Sequence, residues 1–222
     1  MLLATDPVFI IRKYDARDRS MVRQICCQTA LMGEPSVIFF DDDEIFADAL
    51  TLYFTDYESG SCFVAEYENR VVGYLLGSNN MKRMDQMTVK KIVLPLLIKA
   101  LRRGTLLHKK NMAFLFHIFL SLVKGEFKAP IFLIDYPATL HINIIQEYRA
   151  LGVGSKLIRA YLDYLKEEGA KGVHFATMSE KACPFFKKNS FQLLFQGHRS
   201  YFRYFLGKDI LLSIYGMRIP SG

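Results

Sequence analysis

The chain has 222 residues, 51% of them hydrophobic and 23% charged, proportions that belong to a globular protein with a buried core and exclude a disordered, collagenous or coiled-coil chain. Its longest apolar runs, Ile92–Ile98 and Met112–Val123, fall short of the roughly 20 residues that cross a bilayer. The net charge is +7; Met1–Pro7 shows no basic region leading into a long apolar stretch, so no secretory leader is expected.

Val8–Arg12 is β-rich, and Asp15–Met32 has the spacing of an amphipathic helix. Of the four cysteines, Cys26 and Cys27 are adjacent while Cys62 and Cys183 stand alone. That spacing fits neither a zinc site nor a disulfide framework, so reduced cytoplasmic thiols and no metal are expected. Asp41, Asp42 and Asp43 precede a helical stretch, Glu44–Tyr53, and read as its cap. Cys62–Tyr67 and Arg70–Gly77 flank Glu68-Asn69 and predict an antiparallel hairpin.

Between Met81 and Lys128 there are eleven basic residues against two acids, a net +9 that leaves −2 for the rest of the chain. The bases alternate with apolar stretches, which predicts amphipathic helices inserted into one domain spanning 1–222. Three uses stay open for this insert, about 81–128. It could cover the core behind a solvated basic face, cap a site and attract an anionic acceptor, or bind a membrane surface or nucleic acid. No recognition helix, zinc finger or RNA-binding aromatic signature accompanies it.

Past the insert, Pro130–Asp135 and Thr139–Ile145 are β-rich. Gly154–Glu168 is a helix with Leu157, Ile158, Tyr161, Leu162 and Leu165 on one face. Gly172–Ala176, Phe191–Gln196 and Asp209–Arg218 predict strands and Ala182–Asn189 a short helix, in a mixed α/β (α+β) order.

Chemistry concentrates in Leu140–Leu157, where a strand runs through a glycine-containing turn into a helix. Such a turn aims backbone N–H groups and the positive end of the helix dipole at one point, as an anion such as a pyrophosphate requires. Gly152 and Gly154 would leave the approach clear, and Arg149 could add charge-assisted bonds. A dinucleotide fingerprint fails because Leu157 stands where its third glycine belongs.

Arg149-x-x-Gly152-x-Gly154 resembles the acetyl-CoA motif of the GCN5-related N-acetyltransferases (GNAT). Ala182, Phe185, Lys188 and Phe191 are similar to that family's downstream segment. Tyr136–Ile142 and Gly169–His174 look closest to bacterial members similar to the acetyltransferase-like domain of O-GlcNAcases. The resemblance implies a mixed, mostly antiparallel sheet whose fourth and fifth strands splay to admit the pantetheine of acetyl-CoA. It assigns the pantetheine to the backbone of Ile144 and Ile145, and the pyrophosphate to Arg149, Ala150, Leu151, Gly152, Val153, Gly154 and Ser155. Ser179, Phe185 and Phe186 complete the cofactor site.

The implied reaction is direct attack of an amine on the thioester, which needs a base, donors to the oxyanion and a proton for the leaving thiolate. His141, Asp135, Tyr136 and Glu147 are the candidate bases, in that order; each also has an ordinary structural reading. Cys183 could serve as a nucleophile, with a buried inert thiol as the plainer alternative. Phe186 stands where the family carries a tyrosine, Ser179 replaces an asparagine, and Ser190 a glycine. The leading expectation is therefore a cytoplasmic N-acetyltransferase, an acyltransferase acting on a small-molecule or protein amine. The alternatives are a catalytically weak acyl-CoA-binding sensor and a membrane or nucleic-acid binder.

Overall fold

Glu68 and Asn69 both hold positive φ, 48° and 61°, the two-residue turn whose twist matches a hairpin. They join β2 (Phe63–Tyr67) to β3 (Arg70–Ser78), as predicted. The computed structural model describes residues 7–220, so the reading of Met1–Asp6 lies outside the described residues. β1 (Ile10–Lys13) pairs with β2, and β4 (Thr139–Ile144) with β3, giving a four-stranded antiparallel sheet in the order β1-β2-β3-β4. β5 (Gly172–Thr177), β6 (Gln192–Arg199) and β7 (Ile210–Arg218) form a second antiparallel sheet in the order β5-β7-β6.

The sheets meet at one parallel bridge between Ala138 and Val173. There the Ala138 N–H donates to the Gly172 carbonyl at 3.1 Å, and the His174 N–H to the Ala138 carbonyl at 2.9 Å. Beyond that point β4 and β5 have no further pairing among the described residues, so the expected splay is present.

α6 (Val153–Glu167) packs its predicted apolar face across this junction. Leu157, Ile158, Tyr161 and Leu165 are buried with Leu140 of β4 and Val173 and Phe175 of β5. The Tyr161 hydroxyl bonds to the carbonyls of Ser78, at 2.9 Å, and Thr139, at 2.7 Å. Its ring occupies the space a side chain at Gly77 would need. α7 (Cys183–Lys188) follows β5, and α8 (Arg203–Leu206), which the sequence did not predict, precedes β7.

On the other face of the first sheet, the predicted 15–32 helix divides into two. A 3-10 turn capped by Asp15 leads into α1 (Arg19–Gln28), and the chain then turns through Met32 and Gly33, both at positive φ. Val22, Ile25 and Cys26 pack on Val64, Tyr74 and Leu76. α2 (Asp43–Tyr57) runs past its predicted end, and Asp42 caps it by accepting from the Ile45 N–H at 3.3 Å.

The basic segment forms α3 (Met81–Met87), a wider helical stretch Thr88–Val93, α4 (Leu94–Arg102) and α5 (Lys109–Val123). The aspartates before and within α2 hold it down. Arg103 bonds to Asp42 at 3.0 Å, Lys99 to Asp48 at 2.6 Å, and Lys110 to Asp41 at 2.6 Å. The Asn111 side chain closes the joint, accepting from the Asp41 N–H at 2.6 Å and donating to the Thr105 carbonyl at 2.8 Å.

The strand predicted at Pro130–Asp135 is absent. Among the described residues no neighbouring strand offers them a ladder, and they turn instead, with the Tyr136 N–H donating to the Phe132 carbonyl at 2.8 Å.

Candidate functional site

Along a strand, the backbone N–H and C=O of alternate residues face opposite edges. Ala138 turns both groups to β5, so Leu140, Ile142 and Ile144 turn theirs to the same edge, from which β5 has diverged. The splay thus opens a row of backbone donors and acceptors on β4. Ile145 is not part of it, because its N–H donates to the Val72 carbonyl of β3 at 3.0 Å. That corrects the assignment of its backbone to pantetheine. The Ile144 carbonyl is also engaged, by the Arg149 Nε at 2.9 Å. Leu140 and Ile142, which the motif did not indicate, extend the open edge; the bridge that reveals them lies between residues distant in sequence.

At the carboxyl end of β4 the chain makes a 3-10 turn, Gln146–Tyr148, and enters α6 through Ala150 at φ 62° and Gly152 at φ 80°. Among the described residues no side chain caps α6. The first N–H groups of a helix lack intrahelical partners, so those of Val153, Gly154 and Ser155 sit at the positive end of a 15-residue helix beside the open strand edge. Nothing lies within 4 Å of where a Gly152 Cβ would stand, so its surroundings are open.

Gly154 differs. It is buried, and a Cβ there would stand 2.8 Å from the Phe185 ring and 3.1 Å from the Ile144 side chain. Its role is to let α7 dock against the first turn of α6. Arg149 departs from the sequence reading: its side chain folds back along β4, and its guanidinium covers Gly33 instead of standing free for an anion. Leu151 is exposed beside the turn.

Ser179 lies just past β5. Its N–H donates to the Thr177 hydroxyl at 3.2 Å, and its carbonyl accepts from the Cys183 thiol at 3.6 Å. Phe186 is buried among Phe175, Phe185, Phe191 and Tyr215, with ring centroids 4.5 to 6.3 Å apart. Burial, then the adjoining Cys183 thiol, raises the Tyr215 hydroxyl to about 12.

The four candidate bases separate. His141 and Asn143 alternate onto the β4 face toward α1 and α2, 3.3 Å apart through Nε2 and Nδ2. Asn143 donates to the Tyr74 hydroxyl at 2.9 Å, and the Tyr74 ring meets His141 edge to face. Burial lowers the His141 imidazole to about 4 and raises the Tyr74 hydroxyl well above its ordinary value. At neutral pH His141 is therefore an uncharged acceptor, held in a group that the sequence did not assemble. The alternation of β4 would have added Asn143, whereas Tyr74 depends on the strand register.

Asp135 and Tyr136 precede β4, at the joined end of the sheets and away from the α6 turn. Asp135 is paired with Arg218 at 3.1 Å. The Tyr136 carbonyl bonds to His174 at 2.6 Å, and its ring lies over Gly172 and Gly216. Glu147 is exposed in the 3-10 turn. These three do not gather with His141.

Comparison with known proteins agrees with this architecture. Residues 132–191 match the Acetyltransferase (GNAT) family; no curated protein matches. The crystal structure of SsHAT is similar with a TM-score of 0.71 at 24% identity, over 96% of this chain and all of that one. Drosophila melanogaster polyamine N-acetyltransferase, which forms N-acetylagmatine, superposes with a TM-score of 0.60 at 12% identity, over 95% of this chain and all of that one. The yncA protein of Salmonella typhimurium, solved with its cofactor acetyl-CoA, gives 0.57 at 12% identity, over 96% and 95%. The chain thus has the GNAT acyl-CoA N-acyltransferase fold, and the segment that matches the family's own pattern is the one carrying β4, the α6 turn, β5 and α7.

Proposed function

We propose that the protein is a cytoplasmic acetyl-CoA-dependent N-acetyltransferase, one domain whose residues 81–128 are an insert. The observation that carries this reading is that the β4 and β5 segments pair, among the described residues, only through Ala138, beside an uncapped α6. Leu140, Ile142 and the Ile144 N–H would bond the pantetheine amides, and the N–H groups of Gly152–Ser155 the pyrophosphate. Phe185, against Gly154, would wall the cleft. The similarity of Tyr136–Ile142 and Gly169–His174 to O-GlcNAcase-type acetyltransferase-like proteins supports a place near that group.

The acceptor nitrogen, unprotonated, would attack the thioester carbonyl carbon, a C–N bond forming as the C–S bond breaks and CoA leaves as thiolate. Neutral His141, with Asn143, would accept a hydrogen bond from the incoming amine and orient it. The attacking nitrogen would lose its surplus proton to water, and the thiolate would take a proton from water, since Phe186 has none to give. The inner faces of the insert helices meet Met178, just past β5, and Tyr201 and Phe202, between β6 and α8, which supports their covering one side of the acceptor entrance.

Thiol release from acetyl-CoA against a panel of amines tests the reading. Turnover with at least one amine is expected. Saturable cofactor binding with no turnover across the panel would favour the acyl-CoA sensor instead.

A further inference from the structure

α4 and α5 are apolar on both sides. Inward, Leu96, Ala100, Phe114 and Ile118 join the Phe39–Phe202 cluster. Outward, Leu94, Leu97, Ile98 and Leu101 on α4, and Met112, Leu115, Phe116, Phe119, Leu122 and Val123 on α5, are exposed. Both sets follow the i, i+3, i+4, i+7 spacing of a single helix face. Ten exposed apolar side chains in two helical stripes are more than the singly scattered apolar residues of an ordinary surface.

Charge frames these stripes. From Gln86 to Gly125 there are eight lysines and arginines and no aspartate or glutamate, and seven of them cluster at the helix ends: Lys90 and Lys91, Arg102 and Arg103, Lys109 and Lys110, and Lys124. Lys99, Arg103 and Lys110 reach inward to aspartates. Lys90, Lys91, Arg102, Lys109 and Lys124 are exposed and, among the described residues, only Lys124 has an acidic neighbour, Glu126 at 4.0 Å.

We propose that this face docks on an anionic phospholipid surface, with α4 and α5 lying in the membrane plane. An apolar stripe with aromatic side chains, bounded by lysine and arginine and free of acid, is the pattern of an interfacial helix. Its apolar residues enter the acyl boundary while the bases meet lipid phosphates. A second copy of the chain fits the charge less well, because a two-fold contact would set these unneutralised bases against their own equivalents. Nucleic acid would leave the apolar stripes exposed.

The test is cosedimentation of the full chain with vesicles, either phosphatidylcholine alone or phosphatidylcholine mixed with phosphatidylglycerol. The protein is expected to pellet with the mixed vesicles, less so at high salt, and to stay in solution with phosphatidylcholine alone. Phe116→Gln with Phe119→Gln should lower the partition coefficient by at least about tenfold, and Lys90→Glu with Lys91→Glu should weaken it similarly. Both sites are exposed, so melting temperature and thiol release should not change. No pelleting with the mixed vesicles would overturn the proposal. So would a wild-type dimer, seen by sedimentation velocity, that Phe116→Gln with Phe119→Gln converts to monomer, or duplex DNA binding that withstands that double change.

Discussion

The Phe185 ring stands 2.8 Å from where a side chain on Gly154 would begin, so the second glycine of the turn is a packing residue. The first, Gly152, faces open space at φ 80°. The two should respond differently to substitution. Gly154→Ala forces α7 away from α6 and should cost about 1–3 kcal/mol, read as a lower melting temperature; Phe185→Leu in the same chain should recover part of it. Gly152→Asp should cost only about 1 kcal/mol for its backbone conformation. Its carboxylate would stand at the anion cradle, so acetyl-CoA affinity should fall at least about tenfold, or 1.4 kcal/mol.

His141 makes stability depend on pH. Burial lowers its folded-state value from 6.5 to about 4, so between these values the unfolded chain binds the extra proton. Stability is then fully present above about 6.5 and declines as pH falls toward 4, by on the order of 3 kcal/mol from this group. Urea unfolding of wild type and His141→Gln at pH 7 and pH 5 checks this: the loss on acidification should be smaller in the variant. Turnover should show no inflection near pH 6.5 that belongs to His141.

Phe186→Tyr restores the family's residue but places a hydroxyl in the aromatic cluster of Phe175, Phe191 and Tyr215. A buried hydroxyl without a partner costs about 1–3 kcal/mol, so the variant should melt lower with unchanged thiol release. A faster release would show that the para position faces the thiol.

Asp42 caps α2 and also holds Arg103 and Thr105. Burial would raise its carboxyl, but the bonds from Arg103, Thr105 and the Ile45 N–H outweigh it and keep the carboxyl below its ordinary value. This stabilisation is present above the unfolded-state value and is lost as pH falls through the lowered folded one. Asp42→Ala should cost about 2–4 kcal/mol, more than Arg103→Ala, whose own side chain is 44% exposed. Protease cleavage should then begin within α4 and α5.

What was legible in the sequence follows from range. The β2–β3 turn and α6 were readable because Glu68-Asn69 and the Leu157–Leu165 spacing are local signals. Pro130–Asp135 has β-rich composition, but a strand needs a neighbour, and composition does not say that none is there. The excess charge of the insert was plain, whereas its pairing with Asp41, Asp42 and Asp48 joins residues more than fifty positions apart. The α6 turn was located correctly, yet the direction of Arg149 depends on Gly33, which only the folded chain brings beside it. Likewise His141 was readable as a strand residue, while its neighbour Tyr74 follows from register.

Calorimetric titration of acetyl-CoA into wild type and Gly152→Asp tests the central claim most directly. Saturable one-site binding is predicted for the wild type, weakened at least about tenfold in a variant that stays folded. No binding by the wild type, or equal binding by both, would contradict the cofactor site at the α6 turn.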